Sequence, residues 1–253
     1  MHRFYLETAN FNQPVIKIID NDEIHHMKDV LRLKKGDKVQ VFNGASQEAD
    51  TVIERLADDA VTLRVGAVRQ KPLGGARIIL ACAPPKKGKF EMIIEKVTEL
   101  GVNEIIPLQT KRSEVVFPQE RMKGKMGRFD TVAVNAAKQS KRVDLPKIHP
   151  MTALSDVLKQ LDPNGIHVIP SLNGHSTHIR EVLLNKMSFP SVVVGNPGKV
   201  VTIFIGPEGD FTPEEVAQAV KCGCVPVSLG KSVLKVETAA ITTVALARFL
   251  LCD

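Results

Sequence analysis

Two stretches near the C-terminus combine residue types that hold small molecules. The first, Ile205-Gly206-Pro207-Glu208-Gly209-Asp210-Phe211, ends the apolar run Val200–Ile205 and leads into Thr212-Pro213-Glu214-Glu215. Thr212 and Glu215 stand at the spacing of a capping box, and Pro213 suits the first position of a helix. The pattern is strand, glycine-bounded turn, helix start. Glycines at 206 and 209 permit backbone approaches that a Cβ would block. Open α/β sheets bind ligands beyond the carboxyl ends of their strands, so a binding loop and a plain βα turn both fit these residue types. The second stretch, Ser228–Ala239, contains Gly230-Lys231-Ser232, the ending of a phosphate-binding P-loop. That motif requires a glycine five positions before Gly230, where Val225 stands, and the preceding strand leaves no room for the cradle. No G-x-G-x-x-G follows a strand, which leaves a dinucleotide site unsupported.

Metal chemistry has little support. Cys82, Cys222, Cys224 and Cys252 give one C-x-C and no C-x-x-C, and His175 and His178 have ligand-like spacing without further ligands nearby. Cys82 lies in an apolar run and reads as a buried thiol. The charge is more informative. The net +6 comes from residues 73–150, where 15 Lys/Arg face 8 Asp/Glu for +7, while residues 1–72 balance at 11 and 11 and residues 151–253 carry −1. Within that region Lys111–Arg142 holds nine basic and three acidic residues. Such a face suits phosphates, because releasing their counterions drives association; a solvated helix face is the plainer alternative.

The positioning elements follow from periodicity. Residues 1–72 read as a small β-rich domain: strands at Val15–Ile19, Lys38–Phe42, Thr51–Leu56 and Ala60–Val68, and a helix capped by Asn21 that runs to about Leu33. Asn43-Gly44 marks a turn, and Lys71–Gly75 a linker. From Arg77 strands alternate with helices. Ile78–Cys82, Glu104–Leu108, Ile166–Ile169, Val200–Ile205 and Val225–Leu229 read as strands. Lys89–Leu100, Pro118–Lys141, Ala153–Leu161, His178–Lys186, Thr212–Lys221 and Glu237–Leu251 read as helices, and Phe189–Lys199 as a mobile loop. This alternation implies an α/β fold with a mostly parallel sheet covered on both faces. With 43% apolar and 25% charged residues, no apolar run long enough for a bilayer and no leader-like start, the default is a cytoplasmic enzyme.

IGPEGDF followed by SLGKSVLKVETA resembles the C-terminal signature of the SPOUT methyltransferases, and the closer likeness is to the ribosomal RNA small subunit methyltransferase E family, which methylates N3 of a uridine in 16S ribosomal RNA. The resemblance spans the chain: His2-Arg3-Phe4-Tyr5, His25-His26 and Val30–Lys34 in the first domain, then Lys86–Glu91, Glu95–Val102, Lys111-Arg112-Ser113 and Gln139–Arg142. It implies a PUA-like β-barrel RNA-binding domain over 1–72 and a trefoil-knotted parallel-sheet domain over 73–253. It further implies S-adenosylmethionine as cofactor, small-subunit ribosomal RNA or an assembling subunit as partner, and a homodimer. The cofactor contacts it implies are Leu172, Ile205, Gly206, Glu208, Gly209, Leu229, Gly230, Val233, Leu234 and Thr238. Arg3, Arg32, Lys86, Lys89, Lys111, Arg121, Lys123 and Lys141 would meet RNA.

This chain departs from the family's usual pattern in four places: Asp210 for glycine, Ser232 and Lys235 for arginine, and Lys138 for glutamate. Methylation at N3 displaces a sulfonium methyl with a ring nitrogen that carries a proton. No histidine or lone carboxylate in the matching motifs is an evident base. Positioning supplies much of the rate, and Arg112, Arg142 or Lys235 are the candidates to stabilise negative charge on uridine oxygens. Simple phosphate contact is the alternative for Arg112 and Arg142, and Glu208 is expected to orient its loop by accepting backbone N–H groups. Two other functions fit the same residues: methylation of another RNA, and a catalytically impaired RNA-binding assembly factor.

Overall fold

The structure, a computed structural model, describes residues 1–71, 75–115, 117, 119–172, 176–185 and 199–251, without the side chains of 119–121 and 185. The expected loop over 189–198, most of the expected linker, His175, Cys252 and the side chain of Arg121 lie outside the described residues. The chain forms two compact units, Met1–Leu73 with Ala137–Leu145, and Gly74–Ala136 with Pro146–Asp253.

In the first unit β1 (Arg3–Tyr5), β2 (Val15–Ile18), β3 (Lys38–Phe42), β4 (Gln47–Leu56) and β5 (Val61–Gln70) form a sheet in the order β1-β3-β4-β5-β2. Alternate residues bury Val39, Val41, Ile53, Leu63 and Ile18 around Phe4 and Met27. The helix α1 (Asn21–His25) is capped by Asp20, which accepts the Glu23 N–H at 2.9 Å, rather than by Asn21. It continues as a π-helical turn, His26–Val30, short of the expected Leu33.

The sequence assigned everything after residue 72 to the second domain, yet Ala137–Leu145 packs into the first unit. Arg3 explains much of this. Its guanidinium, with 6% of the side chain exposed, donates to Glu48 at 3.0 Å and to the Arg142 carbonyl at 3.1 Å. Arg3 is therefore an internal strut of the first unit. Lys138 pairs with Glu23, both side chains less than one-fifth exposed. Lys138, one of the departures from the pattern of the resemblance, thus meets an acidic residue 115 positions away.

The second unit is built on β6 (Arg77–Cys82), α2 (Phe90–Glu99), β7 (Glu104–Gln109), α3 (Gln119–Ser140, its last four residues in the first unit), β8 (Lys147–Ile148), β9 (Thr152–Ala153), α4 (Leu154–Leu158), β10 (Ile166–Pro170), β11 (Thr177–His178), α5 (Ile179–Asn185), β12 (Val200–Ile205), α6 (Pro213–Lys221), β13 (Val225–Ser228) and α7 (Val236–Leu251). The strands run β11-β13-β10-β12-β6-β7-β8, every pair parallel. Successive side chains leave a strand on opposite faces. Ile78, Leu80, Cys82, Val201, Ile203 and Ile205 accordingly pack with α2, α5 and α7, while Ala81 and Phe204 pack with α4 and α6. On α7 the buried residues Val236, Ala239, Ala240, Thr243, Val244 and Ala247 recur at three- and four-residue steps, the stripe of a helix lying on a sheet. No helix of the described residues is long and apolar enough to cross a membrane.

Cys82 is fully buried, and desolvation pushes its thiol far above the ordinary range; burial also raises Cys224, to about 12. Thiolates, not thiols, react. Iodoacetamide at pH 8 is expected to label exposed Cys222 in the native protein, with Cys82 and Cys224 labelled only after unfolding, as peptide mass mapping would show.

Candidate active site

Consecutive strands β12 and β13 lie on opposite sides of β10. Their outgoing loops therefore diverge and open a crevice over the carboxyl end of β10, the switch-point arrangement in which open parallel sheets bind ligands. A cavity of about 670 Å³ occupies this place. Its walls are the three loops that leave β10, β12 and β13: Pro170–Leu172, Ile205–Asp210 without Gly209, and Ser228–Val236. The volume is in the range of small-molecule sites.

The β12 loop is fixed by ties to its neighbours. Gly206 lies under the fully buried Phe211 ring, and a Cβ there would come within 3.1 Å of that ring. Glu208 accepts the Lys86 N–H at 3.0 Å, from the loop after β6. Arg112, in the loop after β7, donates to the Gly209 carbonyl at 2.7 Å and the Phe211 carbonyl at 3.4 Å. The loop then ends in the expected capping box: Thr212 Oγ1 accepts the Glu215 N–H at 3.3 Å and Glu215 Oε2 accepts the Thr212 N–H at 2.8 Å. The other oxygen of Glu215 accepts the Lys111 N–H at 2.7 Å.

In the β13 loop, Ser228 and Gly230 bond to each other, Gly230 N–H to Ser228 Oγ at 3.2 Å, and Gly230 takes φ +115°. Lys89 crosses the rim to Glu237 at 2.5 Å, and this contact holds the Glu237 carboxyl below the usual range. The cavity thus carries three carboxylates (Glu208, Asp210, Glu237), each already accepting a hydrogen bond, and three lysines, Lys89, Lys231 and Lys235. Two large apolar side chains stand unusually open beside it: Leu172 is 64% and Val233 75% exposed. Exposed apolar groups at a concave site suit a flat, apolar-faced ligand such as a purine ring.

Of the ten residues implied as cofactor contacts, Leu172, Ile205, Gly206, Glu208, Leu229, Gly230, Val233 and Leu234 line the cavity. Gly209 and Thr238 do not. Gly209 faces Arg112, its Cβ position 3.5 Å from that side chain, and Thr238 is exposed on the first turn of α7. The sequence placed Lys89 with the RNA contacts and left out Ser171 and Ser176; all three line the cavity. Only the position of the serines just beyond β10 could have signalled them.

The three candidate catalytic cations have different surroundings. Lys235 is exposed and lines the cavity. Arg112 braces the loop rather than standing free. Arg142 belongs to the first unit, where its side chain is 10% exposed and meets Asp144 at 2.6 Å. Paired in this way, the Arg142 guanidinium has a structural role within the first unit. Of the expected RNA contacts, Arg32, Lys86, Lys111, Lys123 and Lys141 are exposed, Lys86 paired with Glu114 at 2.6 Å. Among the described residues no three potential metal ligands come together.

Comparison with known proteins agrees with this geometry. The RNA methyltransferase domain family matches residues 72–248, and the RNA methyltransferase PUA domain family residues 19–66. The ribosomal RNA small subunit methyltransferase E of Rickettsia conorii is 28% identical over 98% of this chain and 96% of its own. That of Synechocystis is 32% identical over 89% of this chain and 70% of its own. Among solved structures, a putative methyltransferase from Legionella pneumophila in complex with the bound cofactor SAM has a TM-score of 0.82 and 29% identity, covering 98% of this chain and 96% of its own. The Neisseria gonorrhoeae ribosomal RNA small subunit methyltransferase E shares the fold at a TM-score of 0.83 and 22% identity, over 99% of this chain and 98% of its own. With the RNA methyltransferase family domain matching most of its length, relatives aligned over 89–98% of it and its cavity at the switch point, this chain belongs to the ribosomal RNA small subunit methyltransferase E family.

Proposed function

We propose that this protein transfers a methyl group from S-adenosylmethionine to N3 of a uridine in 16S ribosomal RNA, acting as a homodimer. The observation that carries the reading is the cavity at the end of β10, walled by the two signature loops and rimmed by Leu172 and Val233. The residues fit the cofactor: apolar rim for the purine, backbone groups of the 205–210 and 229–234 loops, carboxylates toward a sulfonium, and lysines toward a carboxylate. Bound there, S-adenosylmethionine supplies an electrophilic methyl group.

The protein's own contribution is mainly placement. All three cavity carboxylates are engaged, Glu208 and Asp210 by backbone N–H groups and Glu237 by Lys89, so none stands free as a base. With no free carboxylate in the cavity, the N3 proton of the uridine would pass to solvent. Lys235 is the group we assign to stabilising the negative charge that develops on the uridine oxygens. Arg112 acts on the same step by holding Gly209 and Phe211 in place. The RNA is held by exposed cations, with Arg32, Lys86, Lys111, Lys123 and Lys141 as the set consistent with their exposure.

The decisive measurement is mass spectrometry of ribosomal RNA from a strain lacking the gene. The N3-methyluridine signal of the small-subunit RNA is expected to vanish and to return on complementation; an unchanged signal refutes the substrate. Titration calorimetry with S-adenosylmethionine tests the cofactor separately. Absence of binding at millimolar cofactor would leave an RNA-binding protein without this chemistry.

A further inference from the structure

Asp210 stands where the family usually has glycine, and its backbone keeps a glycine-like conformation, φ +60°. Few side chains accept that region; Asp and Asn are among those that do, because a short polar side chain can bond to nearby backbone. Asp210 does more than tolerate it. One carboxylate oxygen accepts the Phe211 N–H at 2.8 Å, within its own loop. The other accepts the Leu172 N–H at 2.9 Å and lies 3.4 Å from the Ser171 hydroxyl, in the loop after β10. Both Asp210 and Leu172 line the cavity. The Arg112 guanidinium grips the carbonyls on either side of Asp210, so the carboxylate is aimed from a backbone held at both flanks.

We propose that Asp210 is a positioning residue for the cofactor: its carboxylate ties the β12 loop to the Leu172 backbone and so sets the two walls of the pocket before the cofactor arrives. The inference rests on the cofactor reading above. With glycine at 210 these loops have no side-chain link at this position and must be brought into register by the ligand, at a cost in affinity. The tie also consumes the Leu172 N–H as a donor. What Leu172 offers a ligand is then its carbonyl and its exposed side chain. Because each oxygen serves a different N–H, the tie needs an acceptor on both sides. An amide presents an oxygen on one side only and an NH2 on the other.

Three variants test this. Asp210→Gly keeps the backbone conformation and removes the tie, so the melting temperature should stay within a few degrees while KM for S-adenosylmethionine rises about tenfold, the effect of one charged hydrogen bond. Turnover at saturating cofactor and the affinity for RNA should change less than about twofold. Asp210→Asn, similar in shape, should resemble the glycine variant; Asp210→Glu, with both acceptors on a longer arm, should recover part of the loss. A merely structural role would lower stability in all three and leave no such split between KM and kcat.

Amide hydrogen exchange on the cofactor-free protein separates this proposal from the functional one. Leu172 N–H should be protected in the native chain and exchange much faster in Asp210→Gly, whatever the ligand is. Equal exchange in the two proteins, or equal KM, overturns the positioning role. Failure of the unaltered protein to bind S-adenosylmethionine, with Leu172 still protected, overturns the cofactor reading and leaves the tie without the ligand proposed for it.

Discussion

Glu215→Ala is expected to lower the unfolding midpoint by roughly 6–12 °C, which corresponds to about 3 kcal/mol for a chain of this size. Glu215 is 5% exposed, and among the described residues its carboxylate is the acceptor for two backbone N–H groups, those of Thr212 and Lys111. Capping losses ordinarily reach about 1 kcal/mol. Here the same deletion also strands the Lys111 amide, from a segment 104 residues away, beside a largely buried junction. A stranded buried donor costs about 1–3 kcal/mol, and the Lys111 bond, being part-buried, adds a loss toward the lower part of that range. Glu215→Gln keeps one acceptor and turns an NH2 toward the other donor, so roughly half the decrease or more is expected. Differential scanning calorimetry checks both. A decrease under about 2 °C for the alanine variant would show that water replaces the carboxylate and that the junction is not held as described.

That junction shows how much of the site was written locally. The capping box, Pro213 and the glycine-bounded turn are separated by at most a few residues, and their physics is that of near neighbours. They were readable as strand end, turn and helix start, and the structure places each of them there. The α7 stripe and the parallel sheet are similarly periodic and similarly legible. What was not legible is lateral. Glu208 to Lys86 spans 122 residues, Arg112 to Gly209 spans 97, and Asp210 to Leu172 spans 38. No pattern in either partner announces the other. The same limit hid the buried strut of Arg3, since an arginine among N-terminal polar residues looks the same whether it faces phosphate or Glu48.

Helical periodicity also has no means of marking allegiance. It predicts one helix over Pro118–Lys141, and one helix forms over Gln119–Ser140, with glycines 124 and 127 inside it. That its final turn joins the first unit depends on Lys138 meeting Glu23 and on Arg3 meeting the Ala137 and Arg142 carbonyls. At α1 the failure was narrower. Asp20 and Asn21 are both good caps, and a one-residue choice between them is decided by which backbone turns helical first. The expectation of Leu172 and Val233 as ligand contacts came from family resemblance, and both prove to be exposed at the cavity.

Gly230→Ala is expected to weaken S-adenosylmethionine binding on the order of 30-fold while leaving the melting temperature almost unchanged. At φ +115° Gly230 lies beyond the left-handed region that Asp or Asn can occupy, so any side chain there is strained. The surroundings add no clash, since a Cβ at this position meets nothing within 4 Å. The cost is therefore conformational, about 1–3 kcal/mol. Where it is felt depends on what holds the loop. Ser228–Gly230 is joined by two hydrogen bonds of 3.2 and 3.3 Å, and residues 230–233 are exposed, so the free protein can relieve the strain by moving the loop with little loss of packing. In the binding mode proposed above the bound state cannot, because the cofactor would then need the wall at Leu229–Leu234 in its present place. Strain relieved in one state and enforced in the other is a difference in affinity, and 2 kcal/mol corresponds to about 30-fold. Gly223→Ala supplies the comparison: it too has positive φ (+92°) and open space, but it ends α6 and lies outside the cavity. It should lower the melting temperature modestly and leave the affinity intact. If Gly230→Ala binds the cofactor as the native protein does, the β13 loop does not hold the ligand in this conformation. If both variants lose affinity equally, the effect is general backbone strain and not the pocket wall.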